Sequence, residues 1–250
     1  MLKTLRARLQ QGHRTIAFPA AEPELVDRFR GRPALVPAKC RDGCRECAAA
    51  CPTQALTVAG GLQLDLGRCL FCAECASVCP EGAIQFTGEY RLATRTRVAL
   101  QLAGPTFDLA QALGEELRRL LGRSLKLRQV SAGGCNACEA EVNVLNTVVF
   151  DLGRFGVQFV ASPRHADGLL ITGPVTENMR LALHKTYEAV PAPKVVIAVG
   201  ACAISGGPFR DHPEQHNGAE GVLPIDLYVP GCPPHPVTIL DGLLRLLGQR

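Results

Sequence analysis

The chain has no tryptophan and only three tyrosines in 250 residues, and it has no long basic run. Those are the features by which a nucleic-acid surface is read, so no nucleic-acid partner is expected. No window approaches the roughly 20 consecutive apolar residues of a membrane-spanning helix. Any tie to a membrane is therefore expected to run through partners. The opening Met-Leu-Lys-Thr-Leu-Arg-Ala-Arg lacks the apolar stretch and small-residue cleavage site of a secretory signal, which makes a cytoplasmic setting the expectation. Gly-x-Gly-x-x-Gly and Walker sequences are absent, so there is no nucleotide fingerprint. The six histidines are scattered without a ligand-like pair, which leaves packing and surface roles as their default.

What is abundant is cysteine: twelve residues, in three sets of four with none left over. Clustered Cys-x-x-Cys in a chain without a secretory signal speaks for metal binding and against six disulfides. The first set is Cys40-x3-Cys44-x2-Cys47-x3-Cys51-Pro52, and the second is Cys69-x2-Cys72-x2-Cys75-x3-Cys79-Pro80. Both approximate the bacterial two-cluster ferredoxin run, in which the fourth cysteine ligates the other cluster. That pattern assigns one 4Fe–4S cluster to Cys40, Cys44, Cys47 and Cys79, and the other to Cys69, Cys72, Cys75 and Cys51.

The two runs are an internal repeat. A shift of 28 residues superposes Cys44, Glu46, Cys47, Ala48, Cys51, Pro52 and Ala55 on Cys72, Glu74, Cys75, Ala76, Cys79, Pro80 and Ala83. Two pseudo-symmetric halves are expected, each continuing into a short strand over residues 55–58 and 83–86. One register fault interrupts the repeat: it would place the first ligand at Arg41, but the cysteine stands at Cys40. The loop Arg41-Asp42-Gly43 is thus one residue longer than its counterpart, and Gly43 is expected to absorb the extra turn.

Beyond a basic stretch at Arg91 to Arg97, the stripe Leu109, Leu113, Leu117, Leu120 and Leu121 predicts an amphipathic helix. Apolar runs then alternate with helical patterns: strands at 125–130, 157–160, 169–172, 195–199 and 225–229, helices near 137–149, 175–189 and 235–248. That alternation predicts an α/β domain, a flavodoxin-like parallel sheet with helices on both faces, preceded by an α+β two-cluster bacterial ferredoxin domain. The fold brings the third set together. Cys135, Cys202 and Cys232 each follow a predicted strand through glycine, at the carboxyl ends where such sheets bind ligands, and Cys138 opens the next helix. A third 4Fe–4S cluster on Cys135, Cys138, Cys202 and Cys232 is expected, with zinc as the alternative. The expected domains are a basic segment 1–32, a ferredoxin-type domain 33–92, a linker and helix 93–124, and the cluster-bearing α/β domain 125–250.

Four further features carry two readings each. Residues 1–32 hold seven Lys/Arg against three Asp/Glu, while the rest of the chain holds twenty of each. Leu2, Leu5 and Leu9 among these charges suit either an amphipathic helix on a partner or anionic lipid, or a frayed terminus. Glu139 and Glu141 follow Cys138 as helix-start carboxylates stabilised by the dipole, or as a proton relay beside a redox centre. His235 after Cys232-Pro233-Pro234 is a packing residue or a hydrogen-bond partner near the third cluster.

Several segments now resemble a known family. Gly133-Gly134-Cys135-Asn136-Ala137-Cys138-Glu139-Ala140-Glu141, Thr172-Gly173-Pro174-Val175-Thr176, Ala198-Val199-Gly200-Ala201-Cys202 and Val229-Pro230-Gly231-Cys232-Pro233-Pro234 look like the small subunit of membrane-bound, energy-converting nickel–iron hydrogenases. The same region is similar to the terminal-cluster subunit of complex I. In that branch the first two cysteines adjoin, whereas here Asn136-Ala137 separates them. Residues 13–90, with Thr15-Ile16-Ala17-Phe18-Pro19 and Phe29-Arg30-Gly31-Arg32-Pro33, resemble the ferredoxin-like subunit of formate hydrogenlyase. The chain looks like a fusion of the two.

The resemblance implies an oxidoreductase subunit that passes electrons between a donor, such as a formate dehydrogenase subunit or a ferredoxin, and a hydrogenase-type large subunit holding the nickel–iron site. It implies membrane ion-translocating subunits, and hence a location on the inner face of the cell membrane. Glu141 matches the family's glutamate three residues after the second cysteine. The alternatives are a complex I-like NADH or ferredoxin–quinone oxidoreductase and a nickel-free relative.

Overall fold

Helix α1, Leu2–Gln11, forms where the leucine spacing predicts it, yet none of its residues is buried and Leu2, Leu5 and Leu9 stay at least 60% exposed. In the computed structural model, which describes residues 2–104 and 106–250, the chain then runs as a strap across the second half of the molecule. The Thr15 hydroxyl donates to the Val148 carbonyl (2.8 Å), the Ile16 amide to that of Val149 (2.9 Å), and the Arg154 guanidinium to the carbonyls of Ile16 and Phe18 (3.0 and 2.9 Å). Phe18 is buried edge-to-face against Tyr90.

The ferredoxin half comprises β1 (Pro33–Leu35), α2 (Glu46–Ala50), β2 (Leu56–Thr57), β3 (Gln63–Asp65), α3 (Glu74–Ser77), β4 (Ile84–Phe86) and β5 (Gln101–Leu102). β1 pairs antiparallel with β4, and β3 lies between β2 and β5. The repeat is visible in space: α2 and α3 start at equivalent positions and each buries its first cysteine, Cys47 or Cys75. Helices of one turn do not persist alone, so tertiary packing holds them. Leu56, Leu64, Leu66, Leu100 and Leu102 supply that packing.

The predicted helix over 109–121 is confined to α4, Glu115–Leu121. Upstream, the Ala110 amide donates to the Ala93 carbonyl and the Leu113 amide to that of Leu246. Those long-range bonds hold 110–113 against the second half in place of a helical turn, and Leu113 is buried there.

The second half continues with β6 (Leu125–Ser131), α5 (Ala137–Val144), β7 (Val157–Phe159), β8 (Gly168–Thr172), α6 (Glu177–Ala189), β9 (Val195–Val199), α7 (Ala201–Ser205), β10 (Leu227–Val229) and α8 (Pro236–Leu246). Its five strands form one parallel sheet in the order β10-β9-β8-β6-β7. β8 and β9 are buried throughout, as continuous apolar strands covered on both faces should be. Alternate residues serve opposite faces. Leu170 and Ile197 join Val142, Ile239, Leu240 and Leu243 under α5 and α8, while Leu169, Ile171 and Val196 meet Leu183 of α6. α5 is shorter than the predicted 137–149, because beyond Val144 the amides of Leu145, Asn146 and Thr147 bond three residues back, and the Thr147 and Leu152 amides take the carbonyls of Val144 and Leu145.

The halves share a core. Ala203, Ile204 and Tyr228 of the second pack with Leu64, Leu66 and Leu100 of the first. The Ser205 hydroxyl donates to the Gly67 carbonyl (2.8 Å), and a Cβ at Gly67 would stand 2.7 Å from the Ile204 methyl. Asp65, 7% exposed, holds this loop by accepting from the Gly67 amide (2.8 Å) and from both Arg97 nitrogens (2.7 and 2.6 Å). Breaking a buried pair of this kind by removing one partner costs about 3–5 kcal/mol.

Candidate iron–sulfur centres

Cys40, Cys44, Cys47 and Cys79 line one small cavity, and Cys51, Cys69, Cys72 and Cys75 line another. The fourth cysteine of each run thus faces the other run's first three. The backbone arranges this through the repeat: the Ala55 amide donates to Cys51 Sγ (3.2 Å), and the Ala83 amide, 28 residues on, donates to Cys79 Sγ (3.3 Å). The Phe71 amide adds a bond to Cys69 Sγ (3.3 Å). At the register fault, Gly43 takes φ +75° and the Cys44 amide closes a turn on the Arg41 carbonyl (3.1 Å), so the longer loop still delivers Cys40 to the first cavity.

The third quartet sits where the parallel sheet ends. Cys135 follows β6, Cys202 lies in the first turn of α7 after β9, and Cys232 follows β10. Asn136, in the left-handed conformation that asparagine tolerates, turns the chain so that Cys138 enters the first turn of α5. Cys138 and Cys202 are buried, and Cys135 and Cys232 lie at the surface. Close approach demands glycine here: a Cβ on Gly200 would stand 2.5 Å from Cys138 Sγ, and one on Gly207 would stand 2.8 Å from Cys202 Sγ.

Burial pushes the Cys69 thiol up to about 12, the Cys75 thiol to about 11 and the Cys202 thiol to about 12, with the neighbouring thiols of each quartet adding to the rise. Cys138 is raised for the same reasons, burial first and then Cys202, Glu139, Cys232 and Cys135. Two such influences cross between quartets. Cys47 of the first acts on Cys75 of the second, and Cys72 of the second acts on Cys232 of the third. α2 and α3, which carry Cys47 and Cys75, pack together, and Phe29-Arg30 bridges His235, just beyond Cys232, to the Cys72 carbonyl, so the second quartet adjoins both the first and the third.

Thiols that repel one another's charge are matched by a cationic core, and ligation must expel their protons. Among the described residues no three His, Cys, Asp or Glu side chains converge closely enough for one metal ion. Four thiols in each quartet are the donor set that a 4Fe–4S cluster takes.

Glu139 is 6% exposed, and its Oε1 accepts from the Ser131 hydroxyl (2.6 Å) and the Thr172 hydroxyl (2.7 Å). Ser131 and Thr172 face each other at the ends of β6 and β8, so the carboxylate clasps the start of α5 to the sheet. Sequence reasoning missed both hydroxyls; their only mark was a polar residue closing each of two apolar runs. Glu141, in the second turn of α5, is half-buried, and burial raises its pKa. His235 caps α8, its Nδ1 accepting from the Val237 amide (3.2 Å), and burial lowers its pKa, which favours the neutral ring.

A parallel sheet with a thiol quartet at its carboxyl edge, joined to a paired-cavity ferredoxin half, defines an iron–sulfur electron-transfer protein. The family model for the NADH ubiquinone oxidoreductase 20 kDa subunit matches residues 135–246, and that for a 4Fe–4S dicluster domain matches residues 39–83. A probable membrane-bound hydrogenase subunit of Pyrococcus furiosus is 43% identical over 132 residues, 53% of this chain and 79% of that protein. Formate hydrogenlyase subunit 7 of Escherichia coli is also 43% identical over 132 residues, and the chain spans only 52% of its length. An NADH-quinone oxidoreductase subunit of Heliobacterium modesticaldum is 44% identical over 116 residues, 46% of this chain and 66% of that one. The chain belongs to the family of the NADH ubiquinone oxidoreductase 20 kDa subunit, and is an iron–sulfur oxidoreductase subunit of the kind found among hydrogenase and complex I-like proteins.

Proposed function

We propose that the chain is the electron-relay subunit of a membrane-associated nickel–iron hydrogenase or formate hydrogenlyase-type complex, a fusion of a ferredoxin-like and a hydrogenase small subunit. The observation that carries this is the pair of cysteine-lined cavities in the ferredoxin half, packed against a third set of four cysteines at the carboxyl edge of the parallel sheet. Three 4Fe–4S clusters, when bound, supply one-electron carriers. Cys40, Cys44, Cys47 and Cys79 hold the first, Cys51, Cys69, Cys72 and Cys75 the second, and Cys135, Cys138, Cys202 and Cys232 the third, on a flavodoxin-like sheet.

Leu64, Leu66, Leu100 and Leu102 pack with Ile204 and Tyr228 in one apolar core shared by the two halves. Cys135 and Cys232, at the surface, mark the face covered by the large subunit, which holds the hydrogen-activating site. An electron donor docks at the opposite end, by the first quartet. Membrane ion-translocating subunits anchor the assembly, with this chain on the cytoplasmic side. Among the described residues no helix is long and apolar enough to cross a membrane itself.

Affinity purification of the tagged chain from its own cells, with nickel analysis of the co-purifying large subunit, tests this reading. Nickel and hydrogen turnover are expected. A nickel-free partner that reduces quinone would instead support a complex I-like role, the reading favoured by the 44% identity to an NADH-quinone oxidoreductase subunit.

Glu139 and Glu141 are the proton-relay candidates in this scheme. Since Glu139 is committed to the Ser131 and Thr172 hydroxyls, Glu141 is the sharper test. Glu141→Gln is expected to lower hydrogen turnover while all clusters remain and reduce, because it removes a titrating group and keeps the shape. The variant's stability carries a separate sign. Burial raises this carboxyl above its unfolded value, so its contribution is fully present below pH 4.5 and is lost as pH rises through the folded pKa. The variant should therefore match the parent in acid and be slightly more stable at neutral pH. Unchanged turnover with intact clusters would end the relay role.

A further inference from the structure

The segment Phe29-Arg30 touches both halves of the molecule, near Cys232 of one and Cys72 of the other. The Phe29 ring stands edge-to-face on His235, with centroids 5.5 Å apart, three residues beyond Cys232 of the third quartet. The next side chain turns to the other half: Arg30 Nη1 donates to the carbonyl of Cys72 in the second quartet (2.9 Å) and to that of Phe71 (3.4 Å). Behind them the backbone is pinned to the ferredoxin half. The Gly31 amide donates to the Thr87 carbonyl and the Arg32 amide to that of Glu89, both at 2.7 Å, and a Cβ on Gly31 would collide with the Glu89 carbonyl oxygen. His235 is equally fixed, since its ring caps α8.

We propose that Phe29 and Arg30 are positioning residues of the electron path, a staple that sets the placement of the second quartet against the third and lays a fixed positive charge beside the second. The proposal rests on the three-cluster reading above. A guanidinium held at the Cys72 carbonyl favours the more negative, reduced state of whatever the second quartet carries, and so raises its reduction potential. Arg30 is exposed, so replacing it removes the charge and the carbonyl bonds without opening the core. Phe29 is partly buried against His235, and its loss loosens the third quartet's side of the junction.

The test uses the anaerobically prepared, cluster-loaded full chain and its Arg30→Gln, Arg30→Lys and Phe29→Ala variants, by redox-titrated paramagnetic resonance. Arg30→Gln is expected to keep the parent's iron content and to shift the second centre alone to lower potential, with Arg30→Lys restoring most of the shift. Phe29→Ala is expected to weaken the magnetic interaction between the second and third centres. It should also speed hydrogen exchange at the Val237 amide, which donates to the His235 ring. Identical potentials and interactions in fully loaded variants would overturn the staple and leave the three-cluster reading standing. Iron loss in Arg30→Gln that lysine does not rescue would overturn it too, by making Arg30 a folding residue. A parent chain with fewer than three centres would instead defeat the underlying reading, and the staple with it.

Discussion

Gly200→Ala is expected to leave the third quartet without iron, removing about one third of the chain's total, while the two ferredoxin-half centres persist. Gly200 adopts φ 92° and ψ 155°, a region essentially reserved for glycine, so alanine there carries about 1–3 kcal/mol of backbone strain. The added methyl would also lie 2.5 Å from Cys138 Sγ. The backbone has no room to yield. The Gly200 amide donates to the Val229 carbonyl and the Ala201 amide to that of Gly231, both at 2.8 Å, tying the loops that present Cys202 and Cys232. Gly60→Ala is the control: its φ is also positive, but nothing lies within 4 Å of the new methyl, so it should lose stability and retain iron. Iron and sulfide analysis of the two variants, alongside thermal unfolding, checks the contrast. A Gly200→Ala protein with full iron would mean that Cys138 is not held where the structure puts it.

Cys51→Ser is expected to destroy the second centre and spare the first, although Cys51 closes the first cysteine run. Cys51 lines the cavity of Cys69, Cys72 and Cys75, and its sulfur accepts the Ala55 amide at 3.2 Å. The consequence extends further, because the second quartet adjoins both of the others. Electrons delivered to the first centre should no longer reach the third, while a small chemical reductant should still reduce both. Cys40→Ser should instead remove the first centre. If Cys51→Ser and Cys40→Ser perturbed the same paramagnetic signal, the crossed arrangement would be wrong.

Much of this was legible in the sequence because two periodicities are strong. The 28-residue repeat foretells α2 and α3, the paired strands and the crossed cavities, and even the one-residue fault resolves through Gly43 as its conformational freedom suggests. The apolar runs at 195–199 and 169–172 foretell buried strands, and a parallel sheet then brings Cys135, Cys202 and Cys232 to one edge. What was not legible depends on long-range backbone bonds. The leucine stripe at 109–121 has the right period for a helix, but the carbonyls of Ala93 and Leu246 capture its first half. The strap 13–32 reads as a basic segment, yet Ile16, Phe18 and Arg30 are tied to residues far along the chain. Ser131 and Thr172 acquire meaning only once β6 and β8 lie side by side with Glu139 above them.

Three iron–sulfur centres within a single chain fix a metal content and a set of magnetic couplings that can be measured. Iron, sulfide and zinc analysis of the anaerobically purified protein, combined with a paramagnetic-resonance redox titration, tests that arrangement most directly. Roughly twelve iron and twelve sulfide per chain are expected, with no stoichiometric zinc and three 4Fe–4S signals, the second broadened by both its neighbours. About eight iron with one zinc, or three signals that do not interact, would contradict it.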